Sequence, residues 1–79
     1  MDFEYYFENA KECLGRPHVI NDVLFKRTSF GHEYVQINYR YKHVEGEMYD
    51  PEGHFVSIFY NNKSDLEKIL KQFTLLNEF

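Results

Sequence analysis

The chain contains no tryptophan, a single cysteine, two prolines and one alanine. Cys13 has no second thiol to pair with, which excludes a cystine-stapled scaffold of the secreted type. No apolar run approaches the roughly 20 residues that span a bilayer. The start, Met1-Asp2-Phe3-Glu4, lacks the basic residues and apolar stretch of a signal peptide. These absences lead to the expectation of a cytoplasmic protein with no membrane partner. No glycine-rich phosphate loop, G-x-S-x-G turn or paired-carboxylate signature occurs. The expectation is therefore a protein that is not an enzyme and uses no cofactor and no metal.

What is present is aromatic. Phe and Tyr number 8 and 7 in a chain of 79 residues. Each ring can bury about 150–250 Å², which compensates for the thin core of so short a chain. One domain over residues 1–79 is the reading, because two cores do not fit this length. The poverty in Ala against 31 residues of Phe, Tyr, Asn, Lys and Ile is the bias of an AT-rich gene, as in low-GC bacteria and their phages.

Helical spacing of Phe3, Tyr6, Phe7, Ala10, Cys13 and Leu14 predicts a helix over residues 2–14. Asp2 is placed to cap it, and Gly15 and Pro17 to end it. A second helix follows the capping box Ser64-Asp65-Leu66-Glu67, with Leu66, Ile69, Leu70, Phe73 and Leu76 on one stripe. Between them, strands are expected at about 22–29, 33–44 and 54–60. The fold class is α+β, in the order α-β-β-β-α, with a three-stranded antiparallel meander carrying both helices on one face. Double-stranded-RNA-binding domains share that element order. Their lysine cluster at the second helix is replaced here by the mixed charge of Lys63-Ser64-Asp65-Leu66-Glu67, so the likeness is one of order alone.

Parity sets which side chains share a face. A three-residue loop Phe30-Gly31-His32 would set Phe25 opposite Ile37 and Val23 opposite Tyr39. Pairing His43 with His54 would set Tyr41 opposite Val56, Tyr39 opposite Ile58 and Ile37 opposite Tyr60. Both choices leave one face uniformly apolar, and two helices are wide enough to cover it. The opposite face then carries Leu24, Lys26, Thr28, Tyr34, Gln36, Asn38, Arg40, Lys42, Phe55, Ser57 and Phe59. That face has cations and rings and no carboxylate, although the chain's net charge is −4. In a monomer, Leu24, Phe55 and Phe59 should be more exposed than Phe25, Ile37 and Ile58.

Lys26, Tyr34, Asn38, Arg40, Lys42, Phe55 and Phe59 are accordingly the first candidate binding surface. The second is acidic: Glu4, Glu8 and Glu12 on the first helix, with Glu45, Glu47, Asp50 and Glu52 in the second hairpin loop. The acidic stripe could imitate a row of phosphates. The leading functional expectation is a protein-binding module, a small inhibitor or regulatory accessory factor of phage or mobile-element type. It would act by occluding the surface of a protein partner. Binding of a short RNA segment on the basic, aromatic face is the alternative. Burial of that face in a homodimer would give a thin core further apolar contact.

Two constellations invite chemistry and argue against it. Cys13, His18 and Asp22 could be written as nucleophile, base and orienter. Cys13, however, lies at a helix C-terminus, where the dipole disfavours a thiolate. His43 and His54 flank the acidic loop without any recognised metal spacing.

Overall fold

The computed structural model describes residues 2–43, 45–46 and 52–75. Its elements are α1 (Phe3–Cys13), β1 (His18–Arg27), β2 (Glu33–Tyr41), β3 (His54–Phe59) and α2 (Lys63–Gln72). The strands form one antiparallel sheet in the order β1-β2-β3. The architecture is the expected α+β meander.

The core lies between one sheet face and the two helices. Val35, Ile37 and Ile58 are fully buried, as are Ala10 of α1 and Ile69 of α2. Phe3, Leu14, Tyr39, Val56, Leu70 and Leu75 complete the buried set. The helices meet through Phe7 and Phe73, whose ring centroids are 5.9 Å apart. Tyr41 ties α1 to the sheet by donating its hydroxyl hydrogen to the Cys13 carbonyl at 2.7 Å.

Parity holds while register shifts. Val23 pairs with Ile37 and Phe25 with Val35, two residues away from the expected pairing. The loop is Ser29-Phe30-Gly31, one residue earlier than expected. Thr28 donates its N–H to the His32 carbonyl at 2.9 Å, and Gly31 donates to the Thr28 carbonyl at 3.0 Å. The cause is Gly31, at φ 88°. Three-residue hairpin loops put the left-handed residue last, so Gly31 ends the loop. In the second hairpin Ile37 pairs with Val56 and Val35 with Ile58, a shift of four residues from the expected pairing. His54 consequently faces Tyr39, not His43. This pairing sets β2's two most buried aliphatic residues against those of β3, at the expense of a longer connection.

β1 departs most from expectation. It begins at His18 rather than near residue 22, and it is bulged between Ile20 and Asp22. A bulge reverses the faces on its two sides. Ile20 therefore points with Tyr39 toward the helices, and Val19 with Arg40 away from them. Asp22 pairs with Asn38, which places a carboxylate on the open face. The expectation of a face without carboxylates is corrected on this point. Nor do the helices cover the inner face completely: Phe25 is 43% exposed against 36% for Leu24, and Phe59 is half-buried, so the expected ordering fails for Phe25 against both. α1 packs against β3, and on the inner side of β1 Ile20 and Val23 pack against the core while Phe25 does not join it.

The cap of α2 also moves. Asn62 is the N-cap, accepting from the Asp65 N–H at 2.9 Å, while Asp65 accepts from the Asn61 N–H at 3.2 Å. Asn caps as well as Ser does, and using it extends the helix by two residues. At the far end Leu75 donates its N–H to the Leu70 carbonyl at 2.9 Å and Thr74 donates to Lys71 at 3.4 Å. This is a Schellman stop, and it swings Leu75 into the core. Leu76, the expected last residue of the stripe, lies outside the described residues.

Thr74 occupies the left-handed position of that stop, at φ 57°. A β-branched residue there carries a cost of about 1–2 kcal/mol that glycine avoids, offset in part by glycine's greater chain entropy. Thr74→Gly is expected to stabilise the protein by about 0.5–1 kcal/mol, raising Tm by about 2–8 °C in a thermal melt. An unchanged or lower Tm would contradict this account of the helix end.

Candidate interaction surface

The outer sheet face is built of cross-strand rows. Lys26, Tyr34 and Phe59 form one row, Leu24, Gln36 and Ser57 the next, and Asp22, Asn38 and Phe55 the third. Gln36 donates its side-chain amide to Asn38 Oδ1 at 3.0 Å, fixing two polar side chains in the middle of the face. Lys26, Arg40 and Lys42 are exposed around it, and Phe55 is 67% exposed. Lys42 follows β2 and donates its N–H to the Pro17 carbonyl at 3.0 Å.

The rings on this face do not end with the sheet. Tyr34 and Phe59 lie 4.8 Å apart, Phe59 and Tyr6 5.0 Å, and Tyr6 and Tyr5 5.2 Å, all between centroids. A ridge of four rings therefore runs off the outer face, around the β3 edge and onto α1. Packed pairs at these separations contribute about 0.5–1.5 kcal/mol each beyond their buried area. The ridge covers the β3 edge and half-buries Phe59, while Tyr5 at its end is 65% exposed. Tyr5 and Tyr6 had no place in the sequence-based surface. The available signal was Tyr5, a large ring off the apolar stripe of its own helix.

The acidic candidates are dispersed. Glu4, Glu8 and Glu12 are exposed along α1, and Lys11 pairs with Glu8 at 3.4 Å. Glu45 and Glu52 are exposed, and Glu47 and Asp50 lie outside the described residues. His54 stacks on Tyr39 at 5.6 Å and sits 5.2 Å from Tyr41, whereas His43 is exposed beyond the end of β2. Among the described residues, no three His, Cys, Asp or Glu side chains come together as metal ligands would. His18 and Asp22 fall on opposite faces because of the bulge, so they do not line up with Cys13. His18 Nδ1 lies 2.8 Å from the Arg16 carbonyl. Burial and hydrogen bonding with Tyr41 push the Tyr39 hydroxyl pKa well above its usual value, so Tyr39 stays neutral.

A groove of about 440 Å³ opens at the other end of the inner face, between the first hairpin loop and the start of α2. Two of its titratable groups engage each other: Glu33 accepts from Arg27 at 2.6 Å and from the Tyr60 hydroxyl. Burial and the bond to Glu33 raise the Tyr60 pKa. No helix among the described residues is long and apolar enough to cross a membrane. No protein-family model, curated protein or solved structure matches the chain.

The Arg27 guanidinium, and secondarily Tyr60, hold the Glu33 carboxyl below the usual carboxylate range. A depressed folded-state pKa contributes stability above the unfolded value, and that contribution disappears as pH falls through the folded value. Glu33→Gln is therefore expected to lower the urea midpoint near pH 7 and to converge with the parent protein as pH falls through Glu33's depressed folded-state value. A difference that stays constant with pH would contradict the ion pair's role.

Proposed function

We propose that the protein is a non-enzymatic binding module that docks its outer sheet face over the working surface of a partner protein. The observation that supports this reading most is the ring ridge Tyr34–Phe59–Tyr6–Tyr5, with Phe55 standing exposed beside it. Exposed rings with cations around them are the composition of a protein-docking patch. Such a patch concentrates its energy in a few aromatic and arginine anchors. Phe55 and Tyr5 are the anchors, and Lys26, Arg40 and Lys42 select a partner surface bearing carboxylates around an apolar pocket. A small inhibitor or regulatory accessory factor of the kind carried by phages and mobile elements fits this mode, with occlusion as its mechanism.

The rings and cations also suit a short single-stranded RNA. Two features disfavour it: Asp22 lies within the face, and Glu4, Glu8 and Glu12 line the adjoining helix. Three cations also give few phosphate contacts.

Affinity capture from the source cell with immobilised protein tests the proposal. Wild type is expected to retain one stoichiometric partner. Phe55→Ala and Arg40→Ala should each weaken retention by about tenfold or more, the effect of losing an anchor. Replacing Glu4, Glu8 and Glu12 together by Gln should leave it intact. Absence of a stoichiometric partner, or retention indifferent to the outer-face variants, would overturn the proposal. Salt-sensitive binding of labelled single-stranded RNA that is lost in Arg40→Ala and Phe59→Ala would replace it with the RNA reading.

A further inference from the structure

The two edges of the sheet are treated differently. α1 packs against β3, and Tyr6 closes over Phe59 at that edge. Among the described residues β1 has no strand on its far side, and no helix packs on it as closely as α1 does on β3. It is also the longest strand, at 10 residues. Past the bulge, Asp22–Arg27 pair regularly with β2, so this half of β1 is a straight edge. An uncovered edge of this kind presents main-chain donors and acceptors to another strand.

The segment Asp22-Val23-Leu24-Phe25-Lys26 is complementary to itself when laid antiparallel about Leu24. Asp22 then falls opposite Lys26, Val23 opposite Phe25, and Leu24 opposite its own counterpart. We propose that a second copy of this chain pairs through β1 in this register, with a two-fold axis at Leu24. The two sheets join into one of six strands, with all four helices on the same side.

The structure meets each requirement of that pairing. Asp22 and Lys26 are both exposed, and neither makes an ion pair within its own chain among the described residues. In the pair of copies they form two ion pairs on the outer face, flanking Leu24. Leu24 is 36% exposed and meets its counterpart there. On the helix side, Phe25 is 43% exposed. Val23 of the second copy packs against it. The main chain agrees as well. Thr28 directs its N–H to β2, so by alternation Leu24 and Lys26 do likewise and Val23 directs its main-chain groups outward. Placing the axis on Phe25 would set Lys26 against Leu24 and Arg27 against Val23, charge against apolar side chain. The Leu24 axis matches charge with charge. The pairing leaves the outer face uncovered, so it stands independently of what that face docks.

Sedimentation equilibrium of the full chain tests the pairing. A seam of this size belongs with interfaces below about 1,200 Å², which are transient, so loading should run from about 10 µM to about 1 mM. Wild type is expected to rise from 9.6 kDa toward twice that mass. Lys26→Asp and Asp22→Lys should each raise the dissociation constant roughly fivefold or more, by turning both ion pairs into repulsions. The double variant should return to within roughly twofold of wild type. Under mild oxidation in a Cys13→Ser background, Leu24→Cys should form a covalent dimer. Residue 24 faces its counterpart in a non-hydrogen-bonded pair, with Cα atoms about 4.5 Å apart, within disulfide reach. A chain that stays monomeric at about 1 mM, or a double variant no better than the singles, would overturn the proposal. So would cross-linking through Phe25→Cys in place of Leu24→Cys.

Discussion

β2 is bonded on both sides, and every second residue of it faces the helices. Val35 and Ile37 are fully buried and Tyr39 is 3% exposed. With a side-chain period of two, a one-residue slip of either neighbour would bring polar residues into that row and carry Val56 or Ile58 out of the core. The rest of the structure is positioned from this row. α1 and α2 bring Ala10, Leu14, Ile69, Leu70 and Leu75 onto it. Tyr41, at its end, holds the C-terminus of α1 through the Cys13 carbonyl, with Arg16 4.2 Å over its ring.

That constraint explains what could be read from the sequence. Element order, strand number and the division of side chains between faces follow from periodicity and survive any even shift in pairing. Both hairpins shifted by even numbers, so Tyr34, Phe55 and Phe59 remained on the outer face although every pairing changed. What escaped was what periodicity does not encode. The bulge at Asn21 interrupts the period without any glycine to mark it. Asn62 and Ser64 both satisfy the chemistry of an N-cap, and only the backbone chooses between them. The stop at Thr74 uses a residue that avoids the left-handed region, held there by the burial of Leu75. Gly31 marks the first hairpin turn, but the expected loop set it in the middle, whereas as the left-handed residue it ends the loop.

The candidate surfaces follow from how little two helices can cover. They bury the middle of one face and, through Tyr6, close one edge. The outer face and the β1 edge stay open, and they carry most of the chain's exposed large apolar side chains: Leu24, Phe25 and Phe55. Tyr5 joins them at the end of the ring ridge. The aromatic wealth is thus divided between a core too short to be built from aliphatics and a ridge that leaves it. Asp22 shares the outer face with Leu24 and Lys26 by simple alternation; it tempers the positive sign of that face and sets a carboxylate near the β1 edge, two residues before Leu24 as Lys26 is two after it.

The sheet is covered along its β3 edge and open at its outer face and its β1 edge, with β2 bonded on both sides. Amide hydrogen exchange in dilute protein, resolved by residue, tests this arrangement most directly. Ile37 and Leu24 direct their N–H groups into the ladder and Val23 directs its own outward. The account predicts that Ile37 and Leu24 exchange slowest, Ile37 through global unfolding, and that Val23 exchanges at least roughly a hundredfold faster than Leu24 beside it. Equal protection of Val23 and Leu24 at low concentration, or rapid exchange at Ile37, would contradict it.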